Sequence, residues 1–263
     1  MDDEYRRSAT PPRIELSSSS IWTIALAGGE ATRHRRIPKQ FWQPDGGGSL
    51  LEHALDRLAG IAAPARTIAA IGRDHLELAA PQLRGRADHV VRQPAERGTS
   101  MALYVALAML RRWAPNAVVV VTPTDAYAEP VARFAAHVRR ATELAAVRRD
   151  DVVVLEPGAP YTAIACGTVD AFWALGQATQ PHLLDILDSL VPLIGTPEES
   201  EALDFIYLAY LPVSFSREML ARAPRRVVAL SLDGVEWSEE ERSRTPLAAA
   251  VEHALGEPLA AVR

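Results

Sequence analysis

The sequence has very little cysteine and lysine and no long apolar run. Cys166 is its only cysteine, so an internal disulfide is excluded and a reducing compartment is favoured. Cys166 lies in an apolar stretch, which is typical of a small core residue. The longest apolar runs have the length of strands, too short to span a membrane. We therefore expect a cytoplasmic protein without membrane contact.

The sequence also lacks a surplus of positive charge. Its 28 Lys and Arg residues face 33 Asp and Glu residues, which gives a net charge of -5. Because nucleic-acid-binding proteins normally carry a basic surplus, we expect a small-molecule partner and no nucleic acid. The seven histidines show no zinc-ligand spacing. No Gly-x-x-x-x-Gly-Lys-Ser/Thr motif occurs, which argues against a kinase-like P-loop protein.

The length and composition indicate a single large domain. At 263 residues and 48% hydrophobic content, the chain can bury one full core. Residues 1–20 carry charges and prolines, end in four serines and contain no apolar stretch. They are expected to form a disordered leader rather than a signal peptide, with the domain spanning 21–263.

The alternation of apolar strands and amphipathic helices predicts an α/β fold. Strand and helix alternate through residue 93, which favours parallel pairing with helices as crossovers. Residues 117–121 are apolar throughout and are predicted to form a central strand. The pattern predicts a doubly wound, mostly parallel sheet with helices on both faces. Later strands are predicted at 152–155, 162–169 and 226–232, and helices at 50–62, 74–83, 99–113, 130–148, 170–179, 182–190, 197–211, 216–222 and 246–255. Ser49 is expected to cap the helix at 50–62, and residues 236–241 are expected to form an acidic loop.

The segment 22–42 carries the clearest functional signal. Its strand breaks at Gly28-Gly29, where the absence of Cβ atoms lets a phosphate approach the backbone N–H groups. Cationic side chains follow, among them Arg33 and Lys39. Lys39 is the only lysine in a chain that otherwise uses arginine. This exception indicates a site that needs a compact ammonium rather than a flat guanidinium.

Two further polar segments follow predicted strand ends. Residues 93–99 lead into a helix that we expect Thr99 to cap, and a helix N-terminus favours anions. Asp125 follows the central strand and suits Mg²⁺, which one or two carboxylates often hold together with phosphate oxygens. Asp125 as a turn residue and Arg97 as the partner of a neighbouring acid are the alternatives. Because ligands collect at the carboxyl ends of parallel strands, these segments indicate phosphoryl or nucleotidyl transfer.

These motifs resemble a known family. Residues 27–33 and 38–41 read Ala-Gly-Gly-Glu-Ala-Thr-Arg and Pro-Lys-Gln-Phe. They resemble the nucleotide-binding signature of the mannose-1-phosphate guanylyltransferases, which are sugar-phosphate nucleotidyltransferases. Residues 93–99 are similar to the family's second nucleotide loop, 122–125 to its metal motif, and 234–238 to a late segment that ends in Trp-Ser-Asp. The resemblance implies a Rossmann-like, GT-A-like domain that uses GTP and Mg²⁺ to join GMP to a sugar 1-phosphate, releasing pyrophosphate.

The resemblance also implies roles for individual residues. Arg33 and Lys39 would be the catalytic residues, with Arg33 holding the nucleotide and its phosphates and Lys39 the phosphates at the reacting centre. Asp125 would bind the metal, with Glu239 at the position of the late aspartate. The residues implied to hold the nucleotide are Ala27, Gly28, Gly29, Thr32, Gln93, Arg97, Gly98 and Thr99.

The sequence departs from the family mainly in its second half. Family members carry a long sugar-binding segment after the strand ending near 155, whereas this chain has a short link at 156–161. The second loop glycine is replaced by Ala31, and the histidine of the metal motif by Ala126. We therefore divide the domain into a nucleotide-binding half, 21–156, and a reduced half, 157–263. An active transferase for a sugar 1-phosphate or another small phosphate, and a nucleotide-binding pseudoenzyme with a regulatory or scaffold role, both remain open, as does homo-oligomerisation.

Overall fold

The computed structural model describes residues 20–30, 32–33, 37–43, 47–156 and 164–238. Its strands in chain order are β1 (Ile21–Ala27), β2 (Thr32–Arg33), β3 (Ile37–Pro38), β4 (Thr67–Gly72), β5 (His89–Gln93), β6 (Val118–Pro123), β7 (Tyr127–Glu129), β8 (Val152–Glu156), β9 (Ile164–Thr168), β10 (Val227–Ser231) and β11 (Glu236–Ser238). Its α-helices are α1 (Leu50–Ala59), α2 (Leu76–Leu83), α3 (Gly98–Trp113), α4 (Val131–Val147), α5 (Val169–Thr179), α6 (Pro181–Leu190) and α7 (Glu199–Ala209). Within these ranges, no helix combines the length and hydrophobicity needed to cross a bilayer.

Seven of the strands form one mixed sheet in the order β10-β8-β9-β6-β1-β4-β5. β1 runs parallel to both of its neighbours, so Ala25 pairs with Ala69 on one side and Thr122 on the other. β9 is antiparallel to β6 and β8. The strand predicted at 226–232 returns to the edge as β10, parallel to β8. The predicted mostly parallel α/β fold is confirmed, with β6 in its centre.

Helices cover both faces of this sheet because successive side chains of a strand point to opposite sides. Val118 and Val120 of β6 pack into a cluster with α1, α2 and α4. Val119 and Val121 pack into the other cluster, with α3, α5, α6 and α7. A strand buried on both faces reads as a continuous apolar run, which is why β6 is recognisable from its sequence.

The two predicted helix caps have different outcomes. Ser49 caps α1 as expected: its hydroxyl accepts from the Glu52 N–H, and the Glu52 carboxylate accepts from the Ser49 N–H. The prediction for Thr99 is wrong. α3 begins one residue earlier, at Gly98, and the Thr99 hydroxyl accepts from the Phe215 N–H at 3.0 Å instead. The Thr99 hydroxyl, which was expected to cap α3, thus binds the backbone of a segment that is distant in the sequence.

The prediction of an acidic loop at 236–241 is wrong for residues 236–238, which form a strand. β11 pairs antiparallel with β7, and Trp237 lies opposite Ala128. The Trp237 ring stacks on Phe134 of α4 with the ring centroids 6.5 Å apart. The packing of the Trp237 side chain therefore outweighs the preference of the flanking acidic residues for a loop. The helix expected at 216–222 is a π-helical turn, Phe215–Leu220, and the helix expected at 246–255 lies outside the described residues.

Candidate functional site

The glycine loop lies at the carboxyl edge of the sheet, between the ends of two other strands. β1 ends at Ala27, and Gly28 and Gly29 follow directly. The loop after β6 is attached to this point, because the Thr124 hydroxyl donates to the Leu26 carbonyl at 2.9 Å. The ends of β1 and β6 are thus held together as the doubly wound fold predicts.

A single-turn 3-10 helix, Lys39–Phe41, packs against the glycine loop. The buried Gln40 side chain uses its amide nitrogen to donate to the Ala27 carbonyl and to the Gly29 carbonyl, both at 3.0 Å. Phe41 is also buried and anchors the turn to the core. Gln40 lies in the Pro-Lys-Gln-Phe motif, but its sequence position alone indicates no role.

This turn brings Lys39 to the loop that follows the central strand. Lys39 Nζ lies 3.5 Å from Asp125 Oδ2, with 16% of the lysine side chain and 41% of the aspartate side chain exposed. The sequence assigned both residues to one site although 86 positions separate them. The structure brings them together beside the glycine loop, on the same edge of the sheet.

The buried side chain of Arg57 supports the loop that carries Asp125. Arg57 of α1 is 4% exposed, and its Nη2 donates to the Ala126 carbonyl at 2.9 Å. Its guanidinium lies 5.8 Å from the centre of the Phe134 ring. Burial lowers the pKa of Arg57 to about 10. Arg57 therefore keeps its charge despite desolvation, and it holds the backbone one residue from Asp125. We interpret it as a positioning residue, a role that the charge pattern of α1 does not reveal.

The second predicted loop faces the first across a narrow cleft of about 60 Å³. Gln93 is 3% exposed, and its Oε1 accepts from the Tyr207 hydroxyl at 3.3 Å. Its Nε2 is buried and has no hydrogen-bond partner among the described residues. A Cβ on Gly28 would lie 1.8 Å from this nitrogen, so the approach of the amide requires glycine. The residues that line this Gln93 cleft are Leu26, Gly28, Gly29, Gln93, Glu96, Gly98, Thr99 and Ala102.

Arg97 fastens the second loop to α7. Its Nε donates to the Tyr207 carbonyl at 2.7 Å and its Nη1 to the Glu96 carbonyl at 3.0 Å. The backbone of Val213 adds two bonds, to the Arg97 carbonyl and from the Ser100 N–H. These side-chain contacts are with backbone carbonyls, whereas the alternative from the sequence was an ion pair with the carboxylate of a neighbouring acid. Two donors of Arg97 thus hold the loop.

The remaining predicted ligands are only partly described. Side chains of Thr32 and Arg33 are not described, and Glu239 lies outside the described residues. Ser238 pairs with Tyr127, two residues after Asp125. In the described part of the chain, no three His, Cys, Asp or Glu side chains cluster as metal ligands. The half-exposed Asp125 carboxylate fits a cation that takes most of its ligands from phosphate oxygens and water.

A larger open cavity of about 640 Å³ lies elsewhere, between α2 and the edge strand β5. It shares no lining residue with the Gln93 cleft. Its lining includes the apolar residues Leu76, Leu83 and Val90. If volume were the only criterion, this cavity would be chosen as the candidate site. The buried unpaired Gln93 amide lies in the Gln93 cleft, and the Lys39–Asp125 pair lies beside the glycine loop that forms one wall of this cleft. We therefore take the cleft and the adjoining ion pair together as the candidate site.

Residues 23–190 match the family described as the MobA-like NTP transferase domain. The chain belongs to this family. The match covers more than half of the chain and includes Gly28, Lys39, Gln93 and Asp125. The resemblance to nucleotidyltransferases drawn from the sequence is therefore confirmed.

Solved structures agree on the fold. A mannose-1-phosphate geranyltransferase from Thermus thermophilus is 20% identical, with a TM-score of 0.72 over 90% of this chain and 80% of that one. A mannose-6-phosphate isomerase from Helicobacter pylori is 14% identical, with a TM-score of 0.67 over 83% and 99%. An inositol-1-phosphate CTP transferase from T. maritima is 13% identical, with a TM-score of 0.53 over 94% and 99%. No curated protein matches the chain.

Proposed function

We propose that the protein transfers GMP from GTP to a sugar 1-phosphate or another small phosphate, with Mg²⁺ and with release of pyrophosphate. The observation that carries this proposal is the approach of Lys39 to Asp125, 3.5 Å apart, beside the glycine loop. It unites a cation for phosphates and a carboxylate for a metal at one strand edge. Membership of an NTP transferase family supports transfer of a nucleotidyl group.

The phosphates would lie between the glycine loop and Lys39. The Gly28 and Gly29 backbone admits an anion closely, and the Lys39 ammonium neutralises charge that develops on the phosphate oxygens. Asp125, with Glu239, would hold Mg²⁺, which supplies further positive charge. An oxygen of the acceptor phosphate attacks the α-phosphorus, and the bond to pyrophosphate breaks. No protein nucleophile is needed, so positioning carries the catalysis.

The chemistry of the Gln93 cleft supports guanine as the base. The unpaired Gln93 Nε2 is a donor, and Glu96, which also lines the cleft, carries a carboxylate that can accept. Guanine offers O6 and N7 as acceptors and its N2 amino group as a donor. At about 60 Å³ the cleft is well below the roughly 300 Å³ of the smallest ordinary ligand pockets. Entry of a purine therefore requires the walls to move apart.

One observation favours the second candidate, a nucleotide-binding pseudoenzyme with a regulatory or scaffold role. β8 and β9 are neighbours in the sheet, and Leu155 pairs with Ile164. Only residues 157–163 connect them, and this connection is too short for a separate sugar-binding segment. An active enzyme would have to bind its acceptor with other residues, or accept a smaller phosphate.

A pyrophosphate-release assay over a panel of sugar 1-phosphates and small phosphates separates the two candidates. Release from GTP that depends on one acceptor supports the transferase. Tight GTP binding by calorimetry, with no release for any acceptor, supports the pseudoenzyme. If neither GTP nor another nucleoside triphosphate binds, both proposals fail.

A further inference from the structure

We propose that Gln40 is a positioning residue, which aims backbone N–H groups of the glycine loop at the phosphates of the nucleotide. The inference rests on the proposed function, since it concerns the same phosphates. It goes beyond that function in assigning a task to a side chain that touches neither metal nor reacting atoms.

Both hydrogens of the Gln40 amide are committed to the glycine loop. Nε2 lies 3.0 Å from the Ala27 carbonyl and 3.0 Å from the Gly29 carbonyl, on either side of Gly28. Gln40 is 3% exposed, so water does not compete for these bonds. Few local forces fix the conformation of two adjacent glycines. The amide supplies that constraint from outside the loop.

The direction of the N–H groups follows from peptide geometry. A trans peptide points its C=O and its N–H in opposite directions. Among the described residues the only cis bond is Glu129-Pro130, so both peptides of the loop are trans. Drawing the Ala27 and Gly29 carbonyls toward Gln40 therefore turns the N–H groups of Gly28 and Glu30 away from it. Gly28 and Gly29 also line the Gln93 cleft, so these N–H groups are available to the phosphates of a nucleotide whose base enters the cleft.

The same turn of helix also carries Lys39. Gln40 binds back to the loop, while the adjacent Lys39 reaches forward to Asp125 at 3.5 Å. One buried amide thereby fixes the spacing between the loop N–H groups and the ammonium. Triphosphate recognition requires that spacing, because both kinds of donor would serve one anion.

The test compares Gln40→Met and Gln40→Glu with the wild-type protein in calorimetric titrations with GTP and with inorganic triphosphate. Methionine keeps the length and removes both donors. We expect its affinity for both ligands to fall about tenfold to a hundredfold, because hydrogen bonds to charged groups contribute about 1.5–3 kcal/mol. In Gln40→Glu, an ionised carboxylate cannot donate to the Ala27 and Gly29 carbonyls, whereas a protonated one donates a single hydrogen bond. The affinity of Gln40→Glu relative to the wild type should therefore rise as the pH is lowered from 8 to 5.5.

Amide NMR supplies a signal that a purely structural role would not change. The Gly28 and Glu30 amide resonances should shift on addition of inorganic triphosphate in the wild type, and much less in folded Gln40→Met. Gln82→Met is the matched control, since it removes a glutamine amide that is bonded to the Leu78 carbonyl and the Ser49 hydroxyl, away from the cleft. It should bind like the wild type.

The outcomes distinguish this inference from the proposed function. If the wild type binds GTP and Gln40→Met binds it equally well, the positioning role is wrong while the proposed function stands. A Gln40→Glu affinity that shows no recovery at pH 5.5, in a protein folded at both pH values, also overturns the positioning role. If the wild type binds neither ligand, both proposals fall.

Discussion

Lys39 Nζ lies 3.5 Å from Asp125 Oδ2, and this pair joins the first loop of the sheet to the loop after its central strand. The lysine is mostly buried and the aspartate is half exposed. Ion pairs that water can reach contribute about 0–1 kcal/mol to folding. Stability therefore gives a weak reason for the only lysine of the chain to lie here. A shared ligand gives a stronger one.

Replacement of Lys39 should separate activity from stability. In Lys39→Met we expect GTP-dependent pyrophosphate release to fall about a hundredfold or more, because a preorganised donor to a developing charge is lost. Lys39→Arg should recover little, since a flat guanidinium does not reproduce a compact ammonium. The free energy of unfolding in urea should change by less than about 1 kcal/mol. Arg148→Met, which breaks the exposed pair with Asp151 far from the site, should leave release unchanged.

Arg57→Met tests the support of the Asp125 loop. Burial that lowers the pKa of Arg57 from 12.5 to about 10 corresponds to a cost of about 3 kcal/mol for keeping the charge. Methionine removes this cost together with the bond to the Ala126 carbonyl. The free energy of unfolding should therefore change by less than about 2 kcal/mol. Pyrophosphate release should nevertheless fall about tenfold, because the carbonyl beside Asp125 is no longer held. An unchanged rate in a stable variant would remove Arg57 from the site.

Gly98 and Gly85 form a matched pair for testing the attachment of the second loop. Their φ angles are +76° and +72°, so alanine is strained at both. A Cβ at Gly85 meets nothing within 4 Å, whereas one at Gly98 would lie 2.4 Å from the Val213 carbonyl oxygen. Gly85→Ala should cost about 1–2 kcal/mol in urea unfolding. Gly98→Ala should cost about 1–3 kcal/mol more. Equal costs would mean that Val213 does not press against the loop.

Cys166 should be unreactive in the folded protein. Complete burial raises the pKa of its thiol to about 12, because the thiolate is poorly solvated there. We expect no reaction with Ellman's reagent at pH 8 until denaturant is added. Since the thiol of the unfolded chain ionises near pH 9, folding stability is lost as the pH rises from about 9 toward 12. Relative to Cys166→Ala, the wild type should lose about 1.4 kcal/mol by pH 10. Rapid labelling at pH 8 would contradict the buried position.

The sequence predicted the sheet because its strands and helices carry strong local patterns. The valine run of β6 and the capping box at Ser49 need no knowledge of distant contacts. β7 and β11 were missed because they are three residues long and one carries the charged end of an acidic run. Such strands depend on tertiary burial, here that of Trp237, which overrides local preference.

The candidate site was predictable where single residues stand out. Lys39 is unique in composition, and Asp125 follows the strongest strand, so both could be assigned to one strand edge. Gln40, Arg57 and Tyr207 were not assigned, because each acts through a backbone or side-chain contact made only after folding. Their patterns in the sequence are those of ordinary helix and turn residues.

Calorimetric titration of GTP into wild type and Asp125→Asn, each with Mg²⁺ and with a chelator, tests the central claim most directly. We predict that the wild type binds GTP at least about tenfold more tightly with Mg²⁺, and that Asp125→Asn loses this difference while remaining folded. An Asp125→Asn protein that keeps the full effect of Mg²⁺, or a wild type that binds no GTP under either condition, would contradict it.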